Sequence, residues 1–137
     1  MPNRPTSLAP HPRYHDRMPV PPRKSARAVV TGASSGIGMA LARALAARGH
    51  SVILVARRSE ILETLALELQ SRFGVDAEVR AVDLSDLEAT ARLCDELSGR
   101  DISILCNNAG IATFGAIADL DPDYERAQVR LNANAVH

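Results

Sequence analysis

From Ala26 onward, short apolar runs alternate with amphipathic stretches, and this alternation narrows the possible folds more than any other feature of the chain. Ala26 to Thr31 is an apolar run that leads into a glycine cluster. Ile37, Ala40, Leu41, Ala44 and Leu45 then recur at helical spacing, and Gly49 is positioned to close that helix. Ser51 to Ala56 is a second apolar run. Ser59 is the expected N-cap of a helix that carries Leu62, Leu65, Leu69 and Phe73 on one side and stops at Gly74. Ala77 to Val82 reads as a third strand. Ser85 and Glu88 have the spacing of a capping box, Ser-Asp-Leu-Glu, opening a helix expected to bury Leu87, Ala91, Cys94 and Leu97. Ile102 to Cys106 is a fourth strand, and Asp121-Pro122 supplies a cap and a first-position proline for another helix. Strands and helices alternating at these lengths predict βαβ units with right-handed crossovers, and hence an α/β fold on a parallel sheet.

The segment before Ala26 differs in kind. Seven of the eight prolines fall within the first 22 residues, and proline both fixes φ and removes a donor. Residues 1–25 are therefore expected to be a disordered Pro/Arg-rich tail, with 26–137 as the folded part. Met18 is a candidate alternative start to Met1. The zero formal charge hides an asymmetry: residues 1–27 carry Arg4, Arg13, Arg17, Arg23, Lys24 and Arg27 against Asp16, a balance of +5. The remainder balances at −5, an ordinary acidic surface that argues against nucleic acid as a partner. No run approaches the ~18 apolar residues of a membrane span, and no secretory signal is recognisable. Cys94 and Cys106 have neither metal nor redox spacing, so two buried free thiols, no metal site and a cytoplasmic location are expected.

The sharpest motif is Thr31-Gly32-Ala33-Ser34-Ser35-Gly36-Ile37-Gly38, between the first strand and first helix. A helix N-terminus exposes unpaired N–H groups and a partial positive charge, which suit a diphosphate. Glycines there serve a tight turn, close backbone approach to phosphates and helix–strand packing, roles assigned to Gly32, Gly36 and Gly38 in that order. Ser34 and Ser35 can add hydroxyl donors. A purely structural turn is the competing reading. The Gly-Lys-Ser/Thr ending of a nucleoside triphosphatase loop is missing, which disfavours phosphoryl transfer.

Thr-Gly-x-x-x-Gly-Ile-Gly after the first strand, together with Asn107-Asn108-Ala109-Gly110 after the fourth, is similar to the paired hallmarks of the short-chain dehydrogenase/reductase family, in its compact-chain branch. The resemblance covers residues 26–137 and implies a Rossmann-type doubly wound sheet that binds a nicotinamide cofactor. It assigns Gly32, Ser34, Ser35, Gly36, Ile37 and Gly38 to the cofactor. It also places Asp83 and Leu84 near the adenine, although Asp83 reads equally as a solvated strand-end acid. Asn108, Ala109 and Gly110 are assigned to the nicotinamide-side ribose, and Asn107 to tying the central strands. Turn-forming asparagine is the alternative for both asparagines.

The end of the second strand discriminates between cofactors. An acid there accepts from a ribose 2′-hydroxyl and repels a 2′-phosphate, whereas this chain has Ala56-Arg57-Arg58. Two guanidiniums suit a phosphate, and two idle cations at a helix N-terminus are disfavoured. NADP(H) is expected over NAD(H), with Arg57 as primary contact.

The resemblance further implies hydride transfer between NADP(H) and a small carbonyl or alcohol substrate, with a serine and a Tyr-x-x-x-Lys pair as catalysts. A tyrosine is a poor base near neutrality unless an adjacent cation favours its phenolate. The only lysine is Lys24, and Tyr14 and Tyr124 are followed four residues later by Met18 and Gln128, so these 137 residues contain no such pair. The expected serine is absent with it. Asn132, 24 residues beyond Asn108, lies close to the family's supporting asparagine. Asn134 is its competitor, and a surface helical asparagine is the plain reading. The sequence reaches His137 without a helix stop signal, so a sheet truncated after the fourth strand and part of the next helix is expected, with an apolar edge at residues 102–106. By family the chain reads as an NADP-dependent oxidoreductase, inactive alone and weak at best in binding NADPH. A non-catalytic NADP-binding module and a truncated product without function are the alternatives. Family members of full length are expected to be homo-oligomers.

Overall fold

The structure, a computed structural model, describes residues 25–136; residues 1–24 of the expected tail, both candidate starts and His137 lie outside the described residues. Four strands and four α-helices follow in order: β1 (Arg27–Thr31), α1 (Gly36–Ala46), β2 (Ser51–Ala56), α2 (Ser59–Phe73), β3 (Ala77–Ala81), α3 (Leu87–Ser98), β4 (Ile102–Cys106) and α4 (Pro122–Asn132). Short 3₁₀ turns cover Ile117–Asp119 and Asn134–Val136. The sheet order is β3-β2-β1-β4 and every pair is parallel. The chain steps outward from β1 to β3, then returns to place β4 on the other side of β1. That reversal opens a crevice at the carboxyl ends of β1 and β4, the usual ligand position in open α/β sheets.

Both faces of the sheet carry core. Ala28, Val30, Val52 and Leu54 pack with Leu62, Leu65 and Leu69 of α2 and Ala42 and Ala46 of α1. Val29, Ile53 and Val55 face the opposite way, toward Leu84 and Leu93, with Leu131 and Ala135 packed at the margin. This is the doubly wound arrangement of Rossmann type. α1 and α2 are further joined by Arg43, whose Nε and Nη2 donate to Glu68 at 2.8 and 2.7 Å. Among the described residues β4 pairs only with β1, leaving an edge on which Leu105 is 59% exposed. No described helix is long and apolar enough to cross a membrane.

Several local expectations shift. α1 buries Gly38, Ala42 and Ala46, while Leu41 and Leu45 pack half-buried against the core and Ile37 is exposed. Small residues at four-residue spacing let the helix lie close to the strands. α2 starts at Ser59, so Arg58 is its N-cap and no side chain caps it; Gly74 ends it in the left-handed region at φ +66° as expected. α3 is capped by Asp86, whose carboxylate accepts from the amides of Glu88 and Ala89 at 2.9 and 3.1 Å. Ser85 is unavailable as a cap because its hydroxyl donates to Asp83, 2.7 Å away. The face that α3 packs also differs from the expected one: Leu93 is its buried residue and Leu97 is half-buried, while Leu87, Ala91 and Cys94 are exposed. Cys94 is therefore a free surface thiol and Cys106 a half-buried one. α4 ends as an α-helix at Asn132 instead of running on to His137.

Charge replaces apolar packing where α3 crosses β3. By register, Arg27, Glu78 and Arg80 share the face of Val29, Ile53 and Val55. Glu78 accepts from Arg100 (2.9 and 2.6 Å), Arg27 (3.2 Å) and Arg80 (3.2 Å), and Arg80 also reaches Glu96 at 2.7 Å. These guanidiniums, Arg100 foremost, hold the Glu78 carboxyl down at about 2. A folded-state pKa below the unfolded value gives stability that is present above the unfolded pKa and lost as pH falls toward the folded one. Glu78→Gln is expected to cost about 2 kcal/mol at pH 7. Thermal unfolding of both proteins checks this: the gap should close as pH falls from about 5 to about 2, and a gap independent of pH would contradict it.

Candidate functional site

The glycine cluster makes the turn from β1 into α1. Gly32 sits at φ +67°, and a Cβ there would stand 2.8 Å from Asn108 Nδ2 and 2.9 Å from Ala109 Cα, so the turn requires glycine twice over. Gly38 lies beneath: an added Cβ would come within 2.2 Å of the Gly32 carbonyl oxygen. Gly36, at φ +49°, has nothing within 4 Å of a Cβ position. Space is thus left over the first turn of α1. That turn is open in a second sense, since Ser35 offers no side-chain cap, no acid lies in the first turn and the first helical bond is Met39 N–H to Ser35. Its leading amides remain available to an anion.

Thr31 joins this turn to the end of β4. Its buried hydroxyl accepts from the amides of Asn108 and Ala109, both at 2.9 Å, and donates to the Cys106 carbonyl at 3.4 Å. Asn108 Nδ2 returns a bond to the Thr31 carbonyl at 3.0 Å. The resemblance gave the strand-tying role to Asn107; here Asn108 makes those bonds, because its side chain turns inward while Asn107 is exposed. Thr31 had no role in the sequence reading. Its place at the head of the motif, polar at the end of an apolar strand, is the signal that could have found it.

The ends of β2 and β3 complete the rim. Arg58 folds back so that Nε and Nη2 donate to Ser34 Oγ (3.3 and 3.1 Å) and Nη2 to the Ser34 carbonyl (3.0 Å). Arg57 is exposed and makes no hydrogen bond among the described residues. Asp83 Oδ1 accepts from the Ser85 hydroxyl and amide at 2.7 and 3.0 Å. Those bonds, with the nearby Arg57 cation, hold the Asp83 carboxyl below its usual range. On the β4 side, Asn132 clamps the Ile111 backbone, accepting from its N–H at 3.0 Å and donating to its carbonyl at 2.8 Å. Asn134 is exposed and makes no such contact.

The four strand ends enclose one cleft of about 460 Å³. Gly32, Ser34, Ser35, Gly36, Ile37, Arg57, Arg58, Asp83, Leu84, Asn108, Ala109 and Gly110 all line it, with Gly38 just below. Ala56, Val82, Ile111 and Leu131 line it as well, positions the sequence reading did not single out. Asn132 stands behind the wall, against Ile111. The cleft is polar and positive at the β2 end, apolar at Val82, Leu84 and Leu131, and rich in backbone groups between.

Comparison with known proteins agrees with this geometry. The profile of the short chain dehydrogenase family matches residues 26–137, and the chain belongs to that family. It is 41% identical over 91 residues to very-long-chain 3-oxoacyl-CoA reductase-A of Danio rerio, covering 66% of this chain and 28% of that one. Among solved structures, it superposes on the bulky-bulky ketone specific alcohol dehydrogenase from Comamonas testosteroni with a TM-score of 0.78 at 34% identity, covering 82% of this chain and 46% of that one. A short-chain dehydrogenase from Sphingobium yanoikuyae in complex with NADPH gives a TM-score of 0.78 at 36% identity, covering 81% and 44%. The chain thus spans between 28% and 46% of the length of these relatives.

Replacing Thr31 with valine leaves two amides without their acceptor while keeping the shape. Thr31→Val is expected to lower stability by about 1–3 kcal/mol, and Thr31→Ser to recover most of that. Urea unfolding measures both; equal losses for the two variants would contradict the hydroxyl's role.

Proposed function

We propose that residues 26–137 bind NADP(H) in this cleft and serve as the cofactor-holding part of an oxidoreductase that moves hydride to or from a carbonyl carbon. The carrying observation is the convergence of two unspent anion sites on one cleft: the uncapped first turn of α1 and the guanidinium of Arg57. The open space at Gly36 admits a diphosphate against those amides. Arg57 takes the 2′-phosphate, because Arg58 has committed three hydrogen bonds to Ser34. Ser34 accepts from Arg58, which leaves its hydroxyl proton free to donate. Asp83 keeps a second carboxylate oxygen for the adenine amino group, and Asn108 to Gly110 form the nicotinamide-side wall with Asn132 supporting it.

The residues therefore fit the group, which when bound supplies the hydride. NADPH in the Sphingobium structure supports the cofactor reading, and the phosphate-bearing form is favoured over NAD(H) by Arg57 together with the lack of an acid at the end of β2. The reductase and alcohol dehydrogenase names of the relatives both describe exchange at a carbonyl or hydroxyl carbon, which is the substrate class proposed for the longer protein. The 137-residue chain contains no Tyr-x-x-x-Lys pair, and no turnover by it alone is expected.

Fluorescence titration of the 137-residue chain tests this. NADPH should bind at least about tenfold more tightly than NADH, and Arg57→Ala should erase most of that preference without weakening NADH. Equal affinity for the two cofactors in the unmodified chain would refute the assignment.

A further inference from the structure

After β4 the chain enters a stretch, residues 107–116, with neither strand nor helix. Side chains, not backbone partners, hold four of its amides. Thr31 takes those of Asn108 and Ala109, Asn132 takes that of Ile111, and Gln128 Oε1 accepts from Thr113 N–H at 2.9 Å. Gln128 and Asn132 are four residues apart on α4, just over one helical turn and about 6 Å along the axis. Ile111 and Thr113 are two apart in an extended segment, about 6.6 Å. The two repeats nearly match, so one face of α4 stands in for a neighbouring strand. Glu125, three residues before Gln128, extends that face by accepting from the Thr113 hydroxyl, which also lies 3.3 Å from Gln128 Oε1. α4 buries no residue of its own. This polar ladder and the marginal packing of Leu131 are what join it to the site.

We propose that Thr113, Glu125 and Gln128 form a latch that positions the cleft wall Asn108–Ile111, and so sets affinity for the nicotinamide end of the cofactor from outside the cleft. None of the three lines the cleft. The proposal rests on the NADP(H) reading above. Asn132 secures the wall at Ile111, and the latch secures the chain two residues further on. Without the latch, the wall is held at one end by Thr31 and at the other by Asn132 alone. Thr113, Glu125 and Gln128 are positioning residues; the adenosine half of the cofactor, bound between the glycine turn and Arg57, does not depend on them.

Binding of two ligands by the 137-residue chain separates these ideas: NADPH, which spans the cleft, and 2′,5′-ADP, which carries only the adenosine end. Thr113→Val should weaken NADPH about fivefold and leave 2′,5′-ADP unchanged, and Thr113→Ser should restore NADPH. Loss of both ligands in equal measure, or of neither, overturns the latch while the nucleotide site stands. An unmodified chain that binds neither ligand overturns the site and the latch together. Hydrogen exchange without ligand gives a second reading, in which Gln128→Leu should speed the Ile111 and Thr113 amides about tenfold and leave β1 and β2 unaffected. Uniform acceleration across the sheet, or no change at Thr113, would also overturn it.

Discussion

Thr31 ends β1 with its hydroxyl buried between two strands, where it accepts from two amides of the β4 exit and donates to the last β4 carbonyl. Parallel neighbours diverge as they leave a sheet, and nothing in the ladder itself keeps their exits together. Thr31 does so with one oxygen, and Asn108 adds the return bond to the Thr31 carbonyl. The consequence reaches both ways. The glycine turn can pack against the Asn108–Ala109 backbone only because that backbone is held there, and the steric demand for glycine at 32 and 38 follows from the same closeness. The cleft exists because two loops that belong to different βα units are fastened to one side chain.

Around that joint the two faces of the sheet are built differently. The α1–α2 face is closed by alanine and leucine at van der Waals distance, and its buried residues form one continuous cluster. The α3–α4 face depends more on polar work. Glu78 is shared among three arginines, Asp86 caps α3, and Asn132, Gln128 and Glu125 hold the loop beyond β4. Such contacts give direction more than bulk stability, because exchange with water returns most of their energy. It fits this division that the cleft-lining loop after β4 is held from the polar side while the firm core lies behind the glycine turn.

The strand–helix alternation was legible from the apolar runs, and β2 and β4 fall where the sequence places them because each is a largely apolar run flanked by polar residues. The glycine and asparagine motifs likewise located the cleft. What could not be read was which competing polar group wins. Ser85 and Asp86 are both good caps, and the choice turned on Asp83, a strand-end acid that captured the serine hydroxyl. Arg57 and Arg58 look alike in sequence and both are exposed, yet only Arg58 is bound to Ser34, across 24 residues. The periodicity of α1 marked Leu41 and Leu45, which pack half-buried, but not the small residues at 38, 42 and 46 that close approach to a sheet selects. Contacts such as Thr113 with Gln128 bring together loop and helix polar residues that carry no pattern of their own.

The proposed cofactor cleft joins the ends of β1, β2, β3 and β4 around the Thr31 joint. Amide chemical-shift mapping on addition of NADPH tests it most directly. Shifts are expected only at residues 32–38, 57–58, 83–84 and 108–111, with the groove between α1 and α2 silent. Shifts centred on that groove, or scattered without relation to the strand ends, would contradict it.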